Sequence, residues 1–276
     1  MTIKNILVAF NGTPGSVAAL RTAILMHGKH GCHVTGLLVH AGQRETLSAN
    51  AWVPSNVREA IAAKVREVER QKEAQFRELA GDAVPGDQLH WITLFGQSDA
   101  TVARYARMYD LTLVGQYDAI QGHEHLELHP DQIAVKSGRP VFVIPRDHAP
   151  ERIREIAVIA WDGRRTATRA VMDAMHLLES KQQVHVLSID DGSLRPPLEG
   201  IDVETALGRH GVQVERVIRP AKRGQAAADI LAYCQEVGAG MLVMGAYEHS
   251  VFRERLIGGT TQQVLDKAPL PILMSH

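Results

Sequence analysis

The chain has 276 residues, 45% hydrophobic and 22% charged, with a formal net charge of -1. That length suggests roughly two domains of about 100–200 residues each, and the near-neutral balance argues against a dominant nucleic-acid face, which needs an excess of Lys and Arg. No run approaches the roughly 18 apolar residues that cross a bilayer, so no membrane partner is expected.

The short apolar stretch from Ile6 to Phe10 is too brief for a signal peptide and reads as a first strand, residues 5–10. Asn11-Gly12-Thr13-Pro14-Gly15 has turn and helix-start chemistry, and a helix runs to about His27 with Val17, Leu20 and Ile24 at helical spacing. Strands follow at 34–39, 89–94, 111–114 and 141–144. Helices fall at 56–80, 98–108 and 131–137. The second half repeats the order, with strands near 156–160, 184–189, 212–218, 241–244 and 271–274 and helices near 165–179, 200–210, 224–237 and 260–268. The strands are continuous aliphatic runs, as strands covered on both faces are. Their alternation with helices implies a doubly wound parallel α/β sheet in each half.

The two halves repeat each other. Ile6-Leu7-Val8-Ala9-Phe10-Asn11-Gly12 returns as Ala157-Val158-Ile159-Ala160-Trp161-Asp162-Gly163, and each half closes on an apolar run behind Pro140 or Pro271. A repeat this long is a whole domain. The expected domains are residues 1–147 and 153–276, related by a pseudo-twofold axis, with a charged, proline-bearing linker over 146–154. The first half carries an insertion between its second and third strands, mostly the 56–80 helix. The default expectation is that this helix packs on its own sheet; the alternative is a lid or partner surface.

The halves also differ after the fourth strand. In the second half, Gly245 is followed by a loop to Gly258-Gly259 and a helix from about Thr260. Ligands of open parallel sheets sit beyond the carboxyl ends of the strands. Glycines there let the backbone approach a phosphate, and the amides of the next helix hold its charge. Thr260 and Thr261 can add hydroxyl donors, and Asp162 can accept from a base or ribose. The plainer reading is that these glycines only end a strand and start a helix.

The chain resembles a tandem universal stress protein. That family opens with a strand and Asp-Gly-Ser, and closes with Gly, two residues, Gly, nine residues, Gly, then Gly, Ser or Thr, and a last strand behind a proline. Asp162-Gly163 matches the opening, with Arg164 at the Ser position, and Gly245, Gly258 and Gly259 match the loop. The resemblance implies two adenine nucleotide alpha hydrolase-like, Rossmann-like domains and a cytoplasmic stress-response role. It also implies a second domain that binds ATP, with Mg, or a related nucleotide. Asp162 and Ile189 would flank the adenine, and Gly245, Gly258, Gly259 and Thr260 would hold ribose and phosphates. Glu248 stands at the middle glycine position and brings a negative charge towards the phosphates; Arg253 and Arg255 on the same loop are candidates to offset it. The alternative is an interaction protein of the same family whose pockets are vestigial or hold another small ligand. In the first half Asn11 replaces the aspartate and Leu128-His129-Pro130 replace the last glycines; a proline has no amide to offer. That half is expected not to bind ATP in the family manner.

No nucleophile elbow or P-loop is present, and no catalytic residue is assigned; at most slow ATP hydrolysis is expected. His123, His125 and His129 lie in a histidine-rich stretch whose spacing matches no metal motif, so no metal ligand is assigned. Asp190-Asp191 reads as a solvated turn, the alternative being a metal site near the phosphates. Cys32 and Cys234 sit one in each half and are expected to be free thiols. A small-molecule nucleotide is the expected partner; the sequence identifies no protein partner and allows a homodimer.

Overall fold

The computed structural model describes residues 3–41, 54–117, 127–190, 192, 194, 196, 198–220, 224–246 and 259–276. The first half runs β1 (Asn5–Ala9), α1 (Pro14–His30), β2 (His33–Ala41), α2 (Ser55–Ala80), a 3-10 turn (Gly81–Ala83), β3 (Leu89–Gly96), α3 (Ser98–Ala106), β4 (Leu111–Gly115), α4 (Pro130–Ser137) and β5 (Val141–Ile144). The second runs β6 (Ile156–Ala160), α5 (Arg165–Leu178), β7 (Gln183–Asp190), α6 (Val203–Arg209), β8 (Val214–Pro220), α7 (Ala226–Glu236), β9 (Met241–Gly245), α8 (Thr260–Lys267) and β10 (Ile272–Ser275). Each expected element is present; the third strand of the second half begins two residues later than expected, at Val214.

The two halves share one sheet. Its order is β3-β2-β1-β4-β5-β10-β9-β6-β7-β8, so each half has the same strand order read outward from the seam. Pairing is parallel within each half, and β5 meets β10 antiparallel. At that seam Ile272 faces Val143, Leu273 faces Phe142 and Met274 faces Val141. These are equivalent positions behind Pro140 and Pro271, so the pseudo-twofold axis passes through the Phe142–Leu273 pair.

Side chains alternate between two cores. Ile6, Val8 and Phe10 enter one, and Leu7 and Ala9 the other. Both cores draw residues from both halves, which is why the strands are aliphatic throughout. The start of α1 is fixed by Thr13, whose hydroxyl accepts from the Ser16 N–H, and by Pro14 in the first turn; Gly31 ends it at a φ of 61°. Its buried stripe includes Ala18, Leu20, Ala23 and Met26.

The inserted α2 has 26 residues where the second half has the seven of α6. Only Phe76 and Ala80 of α2 are buried. Phe76 meets Phe10 edge-on at 5.4 Å and Trp91 at 5.2 Å. A Cβ at Gly36 would lie 2.7 Å from the Phe76 ring, so glycine on β2 lets the helix close down. The default expectation for this helix is met: it docks on its own sheet through its last turns. Among the described residues, no helix is long and apolar enough to cross a membrane.

Candidate functional site

In the second half β6 and β9 are neighbours, with β7 beyond one and β10 beyond the other. The chain therefore leaves the sheet in opposite directions from these two strands, and their carboxyl ends frame the crevice typical of doubly wound sheets. Asp162 follows β6, Ile189 is on β7 next to it, Gly245 ends β9, and Gly259, Thr260 and Thr261 open α8. The structure thus brings six of the seven expected residues to the strand-end side of one sheet. Gly258, with Glu248, Arg253 and Arg255, lies outside the described residues.

Asp162 is exposed. One carboxylate oxygen accepts from the Arg164 N–H at 3.0 Å, and the other lies 3.9 Å from Arg164 Nε. Gly163 completes the turn at a φ of 72°. Asn11 does the same work in the first half: its oxygen accepts from the Thr13 N–H at 3.1 Å, ahead of Gly12 at a φ of 79°. The turn at this position therefore needs a side-chain oxygen in both halves, and only the second supplies a charge. Ile189 is half-buried and packs with Ala160 and Val217 against the core.

The first-turn amides of α8 point away from its own carbonyls, as at any helix start. Among the described residues no side chain caps them, no acidic residue lies in the first turn, and Gly259 sits at the N-cap position. Gly259 and Thr260 are exposed and Thr261 is half-buried. A Cβ on Gly259 would meet nothing within 4 Å. Among the described residues nothing occupies this end of the helix, whose free amides and dipole suit an anion.

Gly245 has a different reason for being glycine. A Cβ there would lie 2.6 Å from the Thr166 carbonyl carbon and 2.7 Å from its Cβ. Gly115, at the end of β4, stands in the same relation to Gly15 and Ser16. In both halves the fourth strand must end in glycine so that the first turn of the preceding long helix can pack across it. Sequence spacing alone does not separate this role from phosphate contact.

The first crevice is closed. Between the ends of β1 and β4 there is a space of about 10 Å³, lined by Asn11, Thr13, Gly115, Gln116 and Leu128. That is room for about one water. Lys72 and Gln75 of α2 lie against Gly12. At the start of α4 the Asp99 carboxylate accepts from the His129 N–H at 2.8 Å and from the ring Nδ1 at 2.9 Å. The chain's own carboxylate thus occupies the helix start that, among the described residues, is uncapped in the other half. Gln116 instead reaches across the seam, donating from Nε2 to the Leu265 carbonyl of α8. Sequence reasoning missed Asp99 and Lys72, because both come from elements far from the glycine loop.

His129 is committed to Asp99 and stacks on Tyr117 at 4.9 Å; His123 and His125 lie outside the described residues. Among the described residues no three His, Cys, Asp or Glu side chains converge on a common point. Asp190 accepts from the Gly192 N–H at 2.9 Å, as a turn residue does; Asp191 is outside the described residues. Cys32 and Cys234 are free and buried, and burial pushes their thiols up to about 11 and about 12.

Residues 154–276 match the model of the Universal stress protein family. Over 99% of its length the chain superposes on 96% of a universal stress protein from Archaeoglobus fulgidus DSM 4304, with a TM-score of 0.71 and 17% identity. It also superposes, over 99% of its length, on 92% of a functionally unknown protein from Pseudomonas aeruginosa PAO1 (TM-score 0.56, 16% identity). A putative universal stress protein from Pseudomonas aeruginosa UCBPP-PA14 is similar over 93% of its length (TM-score 0.51, 16% identity). At these identities the likeness is one of fold. No curated protein matches the sequence.

Proposed function

We propose that this chain, a universal stress protein domain over residues 154–276 preceded by a half of the same fold, is a cytoplasmic stress-response protein that binds ATP or a related nucleotide in its second half. Asp162 and Ile189 flank the base. Gly258, Gly259 and the first amides of α8 receive the phosphates, with the hydroxyls of Thr260 and Thr261 and an accompanying Mg ion. Gly245 contributes by keeping β9 close to α5. Binding acts as a switch, shifting assembly or partners by differential affinity rather than by turnover.

The observation that carries this reading is the contrast between the two helix starts. Asp99 and the proline at the head of α4 occupy one, whereas among the described residues α8 begins with a glycine that nothing crowds and no side chain caps. A second reading, an interaction protein with a vestigial pocket, is favoured by Glu248 in the loop and by the packing role of Gly245.

Thermal unfolding with and without MgATP tests both. Ligand at about 100 times its Kd adds about 2.7 kcal/mol, which for a chain of this size raises Tm by roughly 5–10 °C. The nucleotide reading expects that shift in the wild type. A shift seen only in Glu248→Gly establishes the vestigial reading, and no shift in either protein refutes the site.

A further inference from the structure

A second cavity lies at the opposite edge of the second half's strands. It is lined by Gly240 and Met241 at the start of β9 and by Pro271 ahead of β10, and it measures about 500 Å³. The linker segment 147–154 forms one wall, and the C-terminal parts of α1 and α5 form the others. Small-molecule sites span about 300–1,000 Å³ and are mostly apolar with a few converging polar groups.

This cavity has that composition. Its apolar lining includes Met26, Phe142, Leu177, Met241 and Leu270, each at least nine-tenths buried. Its charged lining is unbalanced: Lys29, Arg152, Arg154 and Lys181 stand against the carboxylates of Asp147 and Glu151. Lys29 is 3.7 Å from Glu155 and is thereby partly neutralised. Lys181 is the cation held deepest. Its Nζ donates to the Arg154 carbonyl at 2.6 Å, and among the described residues no other hydrogen bond uses its remaining donors. An ammonium has three donors, so two are left for a guest. Burial draws the pKa of Lys181 down to about 8, against the opposing pull of the Glu155 carboxylate, which Lys181 shares with Lys29. A desolvated cation beside apolar walls is stabilised by a monovalent anion that brings its own apolar body.

We infer that this seam cavity binds a small amphipathic carboxylic acid, its carboxylate on Lys181 and its apolar body against Phe142, Leu177 and Leu270. Aliphatic carbon fits the floor, and two carboxylate oxygens fit the two open donors. The site is separate from the nucleotide crevice, so the inference stands or falls without it.

Isothermal titration of the full chain with octanoate, with octanol as the uncharged control, tests the site. The expected result is saturable 1:1 binding of octanoate, at least tenfold weaker binding of octanol, and no competition by MgATP. Lys181→Met should weaken octanoate at least tenfold while leaving octanol unchanged, and Lys181→Arg should retain most of the affinity. Far-UV circular dichroism confirms that each variant is folded; should Lys181→Met fail to fold, Arg152→Ala takes its place, with a loss of at least threefold expected. Absence of octanoate binding to the wild type, or equal binding of octanoate and octanol, overturns the proposal. So does undiminished affinity in a folded Lys181→Met protein or, in its place, Arg152→Ala.

Discussion

Replacing Gly245 by alanine separates a packing glycine from a ligand glycine. The added methyl carbon would sit 2.6–2.7 Å from three Thr166 atoms, two of them its carbonyl carbon and its Cβ. Contact at van der Waals distance needs about 3.5–4.0 Å, so β9 and the first turn of α5 must separate by close to an ångström. Thr166 is buried, and β9 pairs with β6 and β10, so the strain cannot be relieved at the surface. Overpacking of this kind costs about 1–3 kcal/mol, or a fall in Tm of roughly 2–10 °C for a chain of this length. Gly115→Ala, against Gly15 and Ser16, should cost a similar amount. Gly259→Ser is the control: its new side chain meets open space, the φ of -66° suits any residue, and a serine there caps α8, so stability should be unchanged or slightly higher. The assay is urea unfolding without nucleotide, followed by circular dichroism. Wild-type stability in Gly245→Ala, or a loss in Gly259→Ser as large as in Gly245→Ala, would refute the reasoning.

Phe76→Ala removes a fully buried ring from its contacts with Phe10 and Trp91 and should cost about 3–5 kcal/mol, read as a lower urea midpoint. Cys32 and Cys234, with thiols raised to about 11 and about 12, should both resist a thiol-labelling disulfide reagent at pH 8 and react once the chain is unfolded, since the thiolate is the nucleophile; fast labelling of the native protein would contradict their burial. Lys181 holds its proton less tightly in the folded chain than its ordinary value of 10.5, at about 8. The unfolded chain therefore binds more protons between pH 8 and 10.5, and this residue's contribution to stability rises with pH across that window. The rise should be smaller in Lys181→Met when unfolding is compared at pH 7.5 and 10.

Much of the fold is legible along the chain because its cues are local. Thr13-Pro14 starts a helix, and the aliphatic runs behind Pro140 and Pro271 are strands covered on both faces; the end of that helix, expected near His27, lies at His30 before Gly31. The candidate site is legible in part. Asp162 and the α8 start follow from their position after β6 and β9, but Gly245 reads the same whether it faces a phosphate or a helix turn.

By itself the sequence determined two copies of one α/β unit, their elements, and the loss of the first copy's glycine loop. Only the tertiary structure decided that the copies share a single sheet through Phe142 and Leu273, that Leu128, Lys72 and Asp99 close one crevice, and that the linker walls a cavity with Lys181 inside. Periodicity and turn chemistry are set by neighbours a few residues apart. Seams, plugs and cavities arise from residues brought together across a hundred positions, where the chain carries no local mark of its future neighbour.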